Sequence, residues 1–125
     1  MCVWAVEVPE KLGRHTKTQL QKSNNERLIS AISVLEIARL CANESIIFSI
    51  SPRAWVEASA RDLQLRHVTV EYPVAIEAYA LPEPFHRDPV DRILMATARL
   101  HQAILLTCDE RILSYRHVRA EDCET

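Results

Sequence analysis

Asp88-Pro-Val-Asp-Arg-Ile-Leu-Met-Ala-Thr-Ala-Arg-Leu-His-Gln-Ala-Ile-Leu-Leu-Thr-Cys-Asp-Glu-Arg-Ile-Leu113 reads as a helix, a buried strand and a second helical turn, with acids at the junctions. Asp88 is an N-cap, Pro89 takes the first helical position, and Asp91 follows in the first turn. The apolar run Ala103 to Thr107 is a strand, and it ends just before Asp109. In open parallel sheets ligands gather outside the carboxyl ends of the strands, which is where Asp109 falls.

The rest of the chain repeats this alternation. A helix begins near Pro9 and ends in the polar run Gln19 to Arg27; Leu28 to Ala31 is a strand leading into a helix over Ile32 to Asn43. Ile46 to Ile50 is a brief extended piece, after which Ser51 caps a helix that has Pro52 at its first position and runs to about Leu63. Val68 to Glu71 is a β-branched strand, Pro73 opens a helix ending near Ala80, and Leu81 to Arg87 is a loop. Ile112 to Tyr115 completes a helical turn, and Val118 begins a last edge strand. Short apolar strands alternating with helical segments indicate βαβ units, hence an α/β fold with a mostly parallel sheet covered on both faces.

A chain of 125 residues forms one domain spanning residues 1–125. Its net charge of −2 supplies no global positive field, so binding of nucleic acid has to rest on a local site or on bound cations. The single glycine, Gly13, excludes a P-loop and a dinucleotide fingerprint, both of which need several. Cys2, Cys41, Cys108 and Cys123 lie far apart without CxxC spacing, so neither a zinc cage nor a compact disulfide framework is indicated. With no apolar run long enough to span a membrane and no signal-peptide layout, the chain reads as soluble, in a reducing cytoplasm.

Three acids stand where chemistry is plausible. Glu36 sits on a helical face between Ile32 and Leu40, where a buried carboxylate needs a cation or hydrogen bonds; the alternative is a local pair with Arg39. Asp91 shares the sheet-facing side of its helix with Leu94, Met95 and Ala98, although it also favours the helix N-terminus electrostatically. Asp109 either caps the turn after it or serves a site. Arg92 and Arg99 share another face, read as solvated. Oxygen ligands from separate elements suit Mg²⁺ or Mn²⁺, and such ions promote hydrolysis of phosphodiesters. The histidines show no ligand spacing and read as surface or capping residues, with His86, in the loop before Asp88, the first candidate for an exception. Thr107 offers a hydroxyl at a strand end, and Arg14, Lys17, Arg87 and Arg92 are candidate phosphate contacts. A phosphate-sensing acidic pocket would need a nearby lysine, and none follows Lys22.

On Ile29-Ser-Ala-Ile-Ser-Val-Leu-Glu-Ile-Ala-Arg-Leu40, His86-Arg-Asp-Pro-Val-Asp-Arg92 and Leu106-Thr-Cys-Asp-Glu-Arg-Ile-Leu113, the chain resembles a PIN-domain ribonuclease of the VapC type, the toxin of a type II toxin–antitoxin pair. The resemblance implies a three-layer α/β/α sandwich, a Mg²⁺ or Mn²⁺ site of clustered acids and endonucleolytic cleavage of RNA. It also implies a homodimer and inhibition by a cognate antitoxin protein. By position Glu36 matches the second acid of the family, Asp91 the third and Asp109 the fourth. The family opens with an apolar strand ending in Leu-Asp-Thr, and Met1 and Cys2 stand where the sequence following that Asp belongs. First strand and first acid are therefore expected to be missing, with Glu7 on the wrong side of Trp4 to replace the acid. Loss of about five buried side chains at ~1.5–3 kcal/mol each would remove most of a domain's stability, so a native chain extending upstream of Met1 is expected. A chain lacking that acid would leave a second reading: a module that binds an antitoxin or RNA without cutting.

Overall fold

In the computed structural model, which describes residues 3–7, 12–22, 25–45, 49–82 and 88–124, the described chain forms an α/β/α sandwich. The strands are β1 (Val3–Val6), β2 (Glu26–Ser30), β3 (Arg66–Val68), β4 (Ile104–Thr107) and β5 (Ala120–Asp122). They form one sheet in the order β3-β2-β1-β4-β5, and every pairing is parallel. The helices are α1 (Arg14–Leu20), α2 (Ala31–Ala42), α3 (Pro52–Asp62), α4 (Tyr72–Ala78), α5 (Pro89–Leu100) and α6 (Glu110–Leu113).

The first expectation to be corrected concerns the start of the chain. Val3–Val6 is itself the central strand, with Ala5 opposite Leu28 on one side and Leu105 on the other. Period-two alternation explains why this short run can take that place. Trp4 and Val6 join Ile29, Ile104 and Leu106 in one core, while Ala5 joins Leu105, Leu94, Met95 and Ala98 in the other. The centre of the sheet is thus filled by Val3–Val6.

Capping sets the helix starts. Ser30, Ser51, Asp88 and Asp109 each accept a backbone N–H with the side chain, at 2.8–3.1 Å. With no glycine available, α2, α3 and α5 are closed by Glu44, Gln64 and Gln102 at φ of 62°, 52° and 52°. Each is followed by a Schellman pair of bonds, such as Gln102 N–H to Arg99 O and Ala103 N–H to Ala98 O.

Three further expectations change. β3 stops at Val68 because its ladder with β2 runs Leu28–Arg66, Ile29–His67 and Ser30–Val68, after which Glu71 becomes the N-cap of α4. Arg92 and Arg99 are not merely solvated: α4 packs on α5, Arg92 donates to Ala78 O (3.1 Å), and Arg99 donates to Glu77 (2.8 Å) and His117 O (2.6 Å). Cys108 and Cys123, distant in sequence, form a disulfide with Cα atoms 5.6 Å apart, because the β4–β5 register that pairs Thr107 with Asp122 brings the next two residues side by side. The expected helix start at Pro9, residues 46–48 of the extended piece, and His86 and Arg87 lie outside the described residues.

Candidate functional site

Because the strands are all parallel, their carboxyl ends share one edge of the sheet. The chain steps outward from β1 through β2 to β3 on one side, and places β4 and β5 on the other. The strand order therefore reverses between β1 and β4, the crevice where ligands settle in open α/β sheets. Glu7 follows β1 directly, and Asp109 lies two residues beyond β4. Thr107, fully buried, links them: its hydroxyl donates to Glu7 Oε2 (3.3 Å) and accepts from the Asp109 N–H (3.1 Å).

Helices α2 and α5 pack together over this edge and enclose a cleft of about 160 Å³. At roughly 30 Å³ per molecule of liquid water, that is room for several waters or a hydrated ion. Its walls are Glu7, Ser33, Glu36, Ile37, Leu40, Asp88, Val90, Asp91 and Leu94. Four carboxylates, from the end of β1, the middle of α2 and the start of α5, therefore face one small volume, and among the described lining residues there is no Lys, Arg or His. Asp91 is 9% exposed and Glu36 half-buried. Ser33 is buried, and its Oγ has no hydrogen-bond partner.

Two arginines reach the acids from the rim. Arg39 bonds and ion-pairs with Glu36 one turn away, and the hydrogen bond, followed by the Glu36 charge, holds its guanidinium above the ordinary arginine range. Arg111 lies between the two remaining sequence-derived candidates, 3.1 Å from Asp109 Oδ2 and 3.9 Å from Asp91 Oδ2. It too is raised, first by its hydrogen bond to Asp109, which outweighs a lowering by burial, and then by the charges of Asp109, Asp91 and Asp88. Both arginines stay cationic at any working pH, so only another cation, not titration, displaces them.

The structure thus brings Glu36 and Asp91 to one cleft and ties Asp109 to Asp91 through Arg111. Among the described residues the acids do not close into a compact trio; the three potential ligand atoms within 4.8 Å of one another belong to Cys108, Asp122 and Cys123. Asp88 lines the cleft while capping α5. Sequence reasoning set Glu7 aside, yet an apolar alternating run followed by an acid, the pattern it recognised around Asp109, was present at Val3-Trp4-Ala5-Val6-Glu7.

The family profile described as PIN domain matches residues 2–118. Ribonuclease VapC22 of Mycobacterium tuberculosis is 35% identical over 116 residues, covering 93% of this chain and 86% of that protein. Among solved structures, that of VapBC2 from Rickettsia felis bound to a DNA fragment from their promoter superposes with a TM-score of 0.72 at 11% identity, covering 96% of this chain and 98% of that one. A toxin-antitoxin complex from Klebsiella pneumoniae gives a TM-score of 0.63 at 17% identity, over 90% and 91% of the two chains.

Proposed function

The chain belongs to the PIN-domain family, and on that premise we propose that it is an endoribonuclease, the toxin of a toxin–antitoxin pair, hydrolysing RNA phosphodiester bonds with Mg²⁺ or Mn²⁺ held by Glu36, Asp91 and Asp109. The observation that supports this most is the cleft itself, which gathers four carboxylates from three elements in one small volume. Crowded carboxylates in a partly desolvated volume repel one another, and a hard divalent cation is the partner that oxygen donors of this kind fit. Such an ion, when bound, polarises the phosphoryl oxygens and supplies an activated water.

The protein's own part is to hold the donors. Asp91 is fixed by the buried face of α5, Glu36 by α2, and Asp109 by the Thr107 hydroxyl and the α6 cap. Arg39 and Arg111 neutralise Glu36 and Asp109, and with a cation in their place they would be free to turn towards phosphate oxygens. The antitoxin is the natural macromolecular partner of such a toxin, and a homodimer and a cytoplasmic site of action belong to the same reading. No helix among the described residues is long and apolar enough to cross a membrane.

The test is cleavage of a mixed RNA substrate with Mn²⁺, with chelator, and with Asp91→Asn. Cleavage is expected only with wild-type protein and metal, and cleavage that survives both chelator and substitution would overturn the proposal. One observation favours a second reading. Arg39 and Arg111 already compensate Glu36 and Asp109, as suits a module that binds an antitoxin or RNA without cutting. Tight binding of an RNA with no turnover in Mg²⁺ or Mn²⁺ would favour that module.

A further inference from the structure

The hydroxyl of Ser33 is the unexplained polar group of the cleft. Ser33 lies in the first turn of α2, 2% exposed, one turn before Glu36 and therefore on the same helical face. It lines the cleft together with Glu7, Glu36, Asp88 and Asp91, and its Oγ is buried without a hydrogen-bond partner. A buried hydroxyl left unpaired is destabilising, and in native proteins the large majority are satisfied by protein or by ordered water. A hydroxyl deeper in a helix can use the carbonyl four residues back, as Thr97 does on α5 by donating to Ile93 O at 2.7 Å, but the residue four before Ser33 is Ile29 in β2. Ser33 makes no such bond.

We propose that Ser33 is a positioning residue of the nuclease: its Oγ hydrogen-bonds a water that fills the acidic cleft, and this water belongs to the hydration shell of the divalent cation. Among the described side chains lining the cleft, the four carboxylates only accept when ionised, whereas the Ser33 hydroxyl can donate as well as accept. It therefore orients a water that the acids alone would leave to rotate. Mg²⁺ and Mn²⁺ sites of few protein ligands retain several waters, so an outer-sphere donor of this kind acts on the ion through the water it holds. This role rests on the metal reading above.

The decisive experiment measures Mn²⁺ binding by calorimetry, thermal unfolding in chelator and RNA cleavage for the wild type, Ser33→Ala and Ser33→Thr. Ser33→Ala is expected to unfold in chelator at the same temperature as the wild type or higher, because it removes an unpaired buried hydroxyl. Its Mn²⁺ affinity should nevertheless fall about tenfold, the lower end of what loss of an outer-shell partner costs. Its kcat should fall with KM for RNA unchanged, and Ser33→Thr, which keeps the hydroxyl, should restore part of the affinity. Wild-type affinity in Ser33→Ala would overturn the proposal, as would an affinity loss matched by lower stability in chelator, since the hydroxyl would then be structural. Should Ser33→Thr fail to fold, the opposite movement of stability and affinity in Ser33→Ala still decides. A wild type that binds no Mn²⁺ would instead refute the metal reading on which this one depends.

Discussion

Glu36 and Asp91 face the same cleft from opposite walls, yet they are held in opposite ways. Glu36 stands on α2 beside the exposed Leu35, and its counter-charge is Arg39, one turn along the same helix, with a side chain 55% exposed. Asp91 is buried on the same helix as the buried Leu94 and Met95, and Arg111, from a different element, lies 3.9 Å from it. A local surface pair is worth little and opens readily, whereas a carboxylate held in a partly dry wall carries an electrostatic cost that a cation relieves. Two acids of equal charge are thus unequal as ligands: Asp91 anchors, and Glu36 adjusts.

The widest gap between them is expected in activity. Asp91→Asn keeps the shape and removes the charge, and should lower RNA cleavage on the order of 10²–10³-fold, the scale on which a preorganised electrostatic group contributes. The unfolding temperature in chelator should not fall, since the substitution relieves repulsion among the acids. A variant that unfolds early, or one that cleaves at the wild-type rate, would break the comparison.

Asp109 is a third case, because its place depends on a distant part of the chain. Cys108 precedes it and is bridged to Cys123 at the end of β5, closing a loop with a sequence separation of 15. On loop length alone, reduction should cost about 3 kcal/mol of stability, read by chemical denaturation with and without reductant. Reduction should weaken Mn²⁺ binding through Asp109 while leaving the α2 wall and Glu36 in place. Equal denaturation curves would mean that the β4–β5 ladder alone fixes Asp109.

Glu36→Gln should cost less than Asp91→Asn, about 10- to 100-fold in cleavage, with metal affinity falling in parallel. If both substitutions cost the same, the division into anchor and adjustable ligand fails, and the cleft acts as one undivided charge.

Much of this was legible before any coordinates. Asp88-Pro89 and Ser51-Pro52 specify their helix starts through short-range chemistry, and Ile104–Thr107 reads as a buried strand because every residue in it is apolar or small. Glu36, Asp91 and Asp109 were visible as acids at junctions. What escaped depended on which strands become neighbours. Val3–Val6 is too short for its periodicity to announce a central strand, and only its ladders to both β2 and β4 reveal it, with Glu7 at its end. The Cys108–Cys123 bridge follows from the β4–β5 register, which no spacing rule encodes. Arg99 looked solvated because nothing in its own helix foretells that α4 covers that face. Gln64 and Gln102 close helices at positive φ, a conformation for which the sequence gives no signal.

The smallest effects should come from the two arginines, and they test the comparison most finely. Arg111 faces Asp109 at 3.1 Å and Asp91 at 3.9 Å, and its raised affinity for its proton reflects Asp109 first, with Asp91 and Asp88 contributing. An incoming dication must displace it or tolerate its charge, so Arg111→Ala should tighten Mn²⁺ binding about three- to tenfold at low ionic strength, with the gain shrinking as salt screens the site. Arg39 is bound chiefly to Glu36 and turns away with it, so Arg39→Ala should change the affinity by less than about twofold. Both variants should fold normally, since both side chains are more than half exposed. Calorimetric titration at two salt concentrations separates the cases. A larger gain from Arg39→Ala than from Arg111→Ala would invert the assignment, making the half-buried Glu36 the wall that the cation needs most and Asp91 the one that merely lines it.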